Sequence, residues 1–129
     1  MEMPLEWNQT LATGVRQIDL QHQELIGLIN ELEAAQDQGP AAVAEVLPRL
    51  SAYVLFHFGT EESLMDGLPG RPAHVAKHQQ EHRAFAAEVA ALRAGNPSTA
   101  ELAAFVDYLK RWIVEHIMKT DQDLAKLIL

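Results

Sequence analysis

An all-α fold, an antiparallel up-down-up-down four-helix bundle with an extended N-terminal arm, is what this sequence predicts, on three observations. Four segments carry apolar residues at alternating steps of three and four, the signature of helices with one buried face. Short breaks containing Gly or Pro separate them, which favours antiparallel neighbours. No segment alternates apolar and polar residues as a half-buried strand would. At 129 residues the chain is one domain's worth, so residues 1–129 are expected to form a single domain with nothing appended.

Residues 1–17 read as the extended arm, with Trp7 as its anchor on the bundle. The first helical stripe is Ile18, His22, Leu25, Ile29 and Leu32. After the break at Gln38-Gly39-Pro40 comes the second: Leu50, Val54, His57, Glu61 and Leu64. Pro48 lies inside this segment, where it is expected to kink the helix or mark its true start. The break at residues 67–70 leads into the third stripe: Val75, His78, His82, Phe85, Val89 and Leu92. A final break at Gly95-Asn96-Pro97 precedes the fourth: Leu102, Phe105, Leu109, Trp112 and His116. Ser98 with Glu101 makes a capping box for that last helix.

Composition excludes several function classes. The formal net charge of −8 argues against nucleic acid and anionic membrane as partners. The absence of cysteine removes disulfides, thiolate metal sites and thiol nucleophiles. The N-terminus lacks the basic region and apolar run of a secretory signal, and no uncharged run approaches the roughly 20 residues of a membrane span. A soluble, cytoplasmic protein is expected.

The stripes are interrupted in a pattern. His22, His78 and His82 lie near the starts of their helices, whereas His57 and His116 lie toward the ends of theirs. In an antiparallel bundle those starts and ends share one end of the molecule. Five histidines and Glu61 therefore converge on one level of the core. Any one of them alone is more simply read as a satisfied core histidine, and His57 with Glu61 alone as a surface hydrogen bond. Together they would leave buried donors and acceptors unsatisfied, which is costly. A metal ion resolves this, because imidazole nitrogen and carboxylate oxygen then both become ligands. His57 and Glu61 are four apart, as are His78 and His82, so each pair lies about 40° apart on its helix and can reach one site.

Four blocks carry a family resemblance: GVRQIDLQHQEL at 14–25, HFGTEESLM at 57–65, HQQEHRAF at 78–85 and HIMKTD at 116–121. With Trp7 and Trp112 they extend over nearly the whole chain, which resembles a single-domain bacterial hemerythrin. The resemblance implies a non-haem di-iron centre, two iron ions with an oxo or hydroxo bridge. Carried over position by position, His78, His82 and His116 would bind one iron, and His22 and His57 the other. Glu61 and Asp121 would bridge them, leaving one iron with an open position for molecular oxygen. Ile113, one turn before His116, is expected to help keep water out.

Three local features set further expectations. His116 and Asp121 are five apart, about 140° on a regular helix, so the helix must overwind, bend, or widen as a π-bulge for both to face one site. The family pattern favours Asp121 over the nearby Asp123. Leu68-Pro69 stands where many relatives have Tyr-Pro, and this loop differs in length. In the third helix the stripe counted back from Leu92 lands on His82 and His78, so His74 is expected to be a spare near the surface. Reversible oxygen binding, for storage, delivery or sensing, is then the expected function, and the protein is not expected to be an enzyme. The alternatives are a di-iron oxidase, peroxidase or nitric oxide-handling enzyme, and a phosphotransfer module. The last needs one exposed histidine, whereas these lie on core stripes.

Overall fold

A computed structural model describes residues 5–67, 72–95 and 97–129. A short 3-10 turn at Gln9–Leu11 precedes α1 (Arg16–Gln36), α2 (Pro40–Asp66), α3 (Pro72–Ala94) and α4 (Thr99–Glu115). A π-helical stretch, His116–Asp121, then runs on into α5 (Gln122–Ile128), with helical backbone angles at both of its junctions. Among the described residues there is no β-strand. Helix α1 packs against α2 and α4, and α2 against α3. Helices α3 and α4 meet through rings, Phe85 lying on Trp112 at 3.8 Å between centroids. This is the antiparallel four-helix bundle the stripes predict.

The ends of the helices follow from local chemistry. Gly39, at φ 104°, turns the chain into α2, and Pro40 occupies the first turn, where its missing N–H costs no bond. Pro48 does not mark the helix start, because α2 begins eight residues earlier and continues through it. The expected box at α4 is present: Glu101 N–H donates to Ser98 Oγ and Ser98 N–H to Glu101 Oε1, both at 3.1 Å. The expectation for Leu68-Pro69 falls outside the described residues.

The arm is tied down at three points. Trp7 packs against the core, as expected, together with Leu5. Leu5 and Asn30 exchange two hydrogen bonds, at 3.0 and 2.7 Å. At the entrance to α1 the Asp19 carboxylate accepts from Thr13 N–H and Oγ1 and from Gly14 N–H, at 2.8, 2.7 and 3.2 Å. Gly14 sits at φ +88°, a backbone conformation that favours glycine.

The interior has two apolar parts. The larger includes Leu25, Ile29 and Leu32 of α1, Leu50, Val54 and Phe58 of α2, Phe85 and Val89 of α3, and Val106, Leu109, Ile113 and Ile117 of the last helix. A smaller cluster joins Ile18, Met65 and Leu124, with Val15, Leu64, Val75 and Ile128 around it. Every helix passes from one part to the other through the residues singled out by the sequence. His22 lies between Ile18 and Leu25, and Glu61 between Phe58 and Met65. His78 and His82 lie between Val75 and Phe85, and Asp121 between Ile117 and Leu124. A polar layer thus crosses the bundle near one end. Helix α2 is long and apolar enough to cross a membrane by composition, with mean hydropathy 1.2, yet its buried face carries His57 and Glu61 of this layer.

Candidate metal centre

Seven side chains form the polar layer: His22 from α1, His57 and Glu61 from α2, His78 and His82 from α3, and His116 and Asp121 from the π stretch. All are buried, and five have no exposed surface at all. Their donor atoms face one another. Asp121 Oδ2 is 2.8 Å from His22 Nε2, and Asp121 Oδ1 is 3.1 and 3.2 Å from the Nε2 atoms of His78 and His116. Glu61 Oε1 is 3.0, 3.4 and 3.5 Å from the Nε2 atoms of His82, His57 and His78.

These donors divide into two overlapping groups. One holds Glu61, His78, His82, His116 and Asp121; the other holds His22, His57, Glu61 and Asp121. Within each group one ligand-capable atom from every residue lies within 4.8 Å of all the others. The two carboxylates belong to both groups. Each group could hold a cation, the first with three imidazoles and the second with two.

The π stretch supplies the last member. Bonding from i to i+5 widens the turn, so a residue five along returns to the same face. His116 and Asp121 both point inward, as do Ile117 and Thr120. Of the alternatives open in the sequence, widening is the one adopted. Asp123, by contrast, is exposed.

The donor set fits a cation. The Nε2 atoms of all five histidines and both oxygens of each carboxylate are buried with no hydrogen-bond partner, despite their short mutual approaches. Unpaired buried polar atoms at this density are costly, and imidazole with carboxylate is a donor set that iron accepts. Electrostatics agree. Burial, reinforced by the Asp121 charge, holds the Glu61 carboxyl well above its usual pKa, so without a cation it keeps its proton. Burial also opposes ionisation of Asp121, but the facing imidazoles, His116 foremost, outweigh it and hold that pKa well below normal. Burial pushes His57 down to about 3 and His82 to about 2, with neighbouring imidazoles adding to it, so both stay neutral with a lone pair to offer.

Several residues absent from the sequence reading hold these rings in place. An imidazole nitrogen facing an amide or carboxylate oxygen can only donate to it, so the Nδ1 atoms of two rings carry protons. His57 Nδ1 donates to Gln21 Oε1 at 2.8 Å, and Gln21 is held in turn by Thr60 at 3.2 Å. His116 Nδ1 donates to Glu81 Oε1 at 3.0 Å, where Thr120 Oγ1 also donates at 2.8 Å. Burial would raise the Glu81 pKa, but these two bonds and the His116 charge lower it. Phe58 stacks on His82 at 3.8 Å and 5°, and Trp112 on His116 at 4.4 Å and 12°. Trp112 is therefore a wall of the site as well as part of the core. Gln21 lies beside His22 in sequence and Glu81 beside His82, and that adjacency is the only signal the sequence offered for them.

His74 lies outside both donor groups, as the stripe register implies. It makes one polar contact within its helix: its Nε2 lies 3.1 Å from His78 Nδ1.

A family profile described as "Hemerythrin HHE cation binding domain" matches residues 13–128. A bacteriohemerythrin of Pseudomonas aeruginosa (strain LESB58) is 36% identical over 120 residues, covering 91% of this chain and 76% of that protein. A bacteriohemerythrin of Stenotrophomonas maltophilia (strain R551-3) is 36% identical over 126 residues, covering 94% of this chain and 79% of its own. Myohemerythrin-1 of Phascolopsis gouldii is 29% identical over 119 residues, covering 92% and 89%.

Proposed function

The chain belongs to the hemerythrin family, and from that premise we propose that it binds molecular oxygen reversibly at a pair of non-haem iron ions held in the polar layer. The observation that carries the reading is the sharing of Glu61 and Asp121 between two donor groups of unequal size. His78, His82 and His116 would hold one iron, His22 and His57 the other, and the two carboxylates would bridge them. When bound, such a pair would supply two electrons and Lewis-acid binding of molecular oxygen. Residues 1–129 would act as one domain in this role, as an oxygen carrier, store or sensor and not as an enzyme.

The chain's own residues account for the rest. Gln21 and Glu81 fix the tautomers of His57 and His116 so that Nε2 faces inward. Glu61, whose pKa is held well above normal, would have to give up its proton to a bound cation, so metal uptake would release protons. Phe58 and Trp112 cover the imidazole side with aromatic faces, and Ile113, buried in the larger core, extends the apolar surround expected of it. Excluding water there strengthens every interaction inside the layer.

The test is an anaerobic spectrum of the iron-loaded protein before and after air, then again under argon. A visible band that forms in air and disappears under argon over repeated cycles supports the reading. Irreversible bleaching, or steady oxygen consumption with a reductant present, would point to an oxidase or peroxidase instead.

A further inference from the structure

The third helix carries a row of three imidazoles at four-residue spacing, and only two of them enter the polar layer. His78 is the middle one. Its Nε2 faces Asp121 Oδ1 at 3.1 Å and Glu61 Oε1 at 3.5 Å. Its Nδ1 faces the opposite way, to His74 Nε2 at 3.1 Å, with the two rings nearly perpendicular at 80° and 5.1 Å between centroids. The helix explains the meeting. Side chains lean toward the helix N-terminus, so the ring of residue 78 settles over the turn that holds residue 74.

We infer that His74 is a positioning residue for His78: its Nε2 accepts the His78 Nδ1–H and so holds that imidazole with Nε2 presented to the metal layer. The inference rests on the reading of His78 as a ligand through Nε2. The donor and acceptor roles follow from it. A ligating Nε2 offers its lone pair inward, so the ring's one proton sits on Nδ1 and must be donated outward. His74 is then the acceptor, and carries its own proton on Nδ1. The other rings show the same design with different acceptors: an amide oxygen of Gln21 for His57 and a carboxylate oxygen of Glu81 for His116. His22 has no hydrogen-bond partner at Nδ1, and the Glu62 carboxylate stands 3.7 Å from His82 Nδ1, beyond a hydrogen bond, so a close outward acceptor is a feature of particular rings and not of burial as such. His74 is half-exposed, and among the described residues its one hydrogen bond is to His78. Losing such an outer acceptor characteristically weakens metal binding about 10–100-fold.

The test uses cobalt(II) on the full chain, with His74→Leu and His74→Gln as a pair. Leucine fills the space but accepts nothing, whereas the glutamine Oε1 can take over as acceptor. Cobalt(II) affinity is measured by chelator competition, and the exchangeable imidazole N–H resonances shifted by the metal are counted by proton NMR. The expected result is about a 10–100-fold weaker affinity for His74→Leu, with one shifted N–H signal lost to solvent exchange. His74→Gln should restore both to near wild type, and the metal-free melting temperatures of the variants should agree. Wild-type affinity and an intact N–H signal in His74→Leu would overturn the inference while leaving the metal reading intact. Equal loss in both variants would overturn it too, by showing a packing role. A wild-type chain that binds no cobalt(II) would overturn the ligand reading and this inference with it.

Discussion

The apolar residues on the two sides of the polar layer are unequal, and the inequality separates what folds the protein from what closes its site. On one side is a continuous core spanning all four helices and joined by the arm residues Leu5 and Trp7. On the other are Ile18, Met65 and Leu124, with four partly buried neighbours. Each fully buried aliphatic side chain contributes about 1.5–3 kcal/mol, so the large side can sustain the bundle and the small side cannot sustain much. The small cluster is better understood as a lid over the layer. It is built from the first turns of α1 and α3, the end of α2, and α5.

The largest effect that could break this comparison is metal removal. Cations that bind only the folded layer stabilise it by about 4 kcal/mol per site at a thousandfold excess over Kd. A chelated sample should melt well below the loaded one, and its loss of hydrogen-exchange protection should concentrate in α5 and the first turn of α1. Equal loss around Leu50 and Leu109 would show that the two sides are not separable.

Next is Glu61→Ala. Glu61 belongs to both donor groups, so both ions should weaken together, with the metal count per chain falling toward zero while the helix content is kept. Glu45 is exposed on the same helix, and Glu45→Ala should shift stability by no more than about 0.5 kcal/mol with the count unchanged. Elemental analysis of the two variants separates them.

A pair of leucines without exposed surface, Leu109 in the core and Leu124 in the lid, sharpens the comparison directly. Either change to Ala should cost about 2–5 kcal/mol by denaturant unfolding. Only Leu124→Ala should also speed release of metal to a chelator, because only it loosens the lid. Matching release rates in the two variants would contradict the account.

The smallest effect is the acid response of the metal-free protein. His57 and His82 stay neutral when folded, to about 3 and about 2, but take up protons near 6.5 when unfolded. Unfolding below pH 6.5 therefore takes up two protons at these rings, and stability falls as pH drops from 6.5 toward 3. Glu61 works the other way, since its raised pKa means the folded state holds a proton the unfolded state has lost above pH 4.5. Two imidazoles against one carboxyl leave a net uptake of about one proton near pH 5. Denaturant midpoints that rise on acidification across that window would reverse the assignment.

The fold and the composition of the layer were legible in the sequence because both depend on helical register. Stripes of period three and four fix which residues face inward, and short breaks fix which ends meet. Register also separated His78 and His82 from His74, and the five-residue spacing of His116 and Asp121 required an irregular helix. The form of that irregularity was not legible, because widening and bending satisfy the spacing equally until the backbone is seen. Nor was the start of α2, where Pro48 looked like a boundary but Pro40 had the turn chemistry for one. Least legible were Gln21, Glu81 and the contact from His74. Each depends on how far a side chain reaches and where a ring's second nitrogen points, quantities that periodicity does not encode.

The central claim is that one buried layer holds two cations through shared carboxylates. Anaerobic titration of the metal-free chain with iron(II), followed by Mössbauer spectroscopy after oxidation, tests it most directly. The account predicts saturation at two irons per chain and a magnetically coupled pair, because Glu61 and Asp121 belong to both donor groups. Saturation at one ion per chain, or two irons with no magnetic coupling, would contradict it.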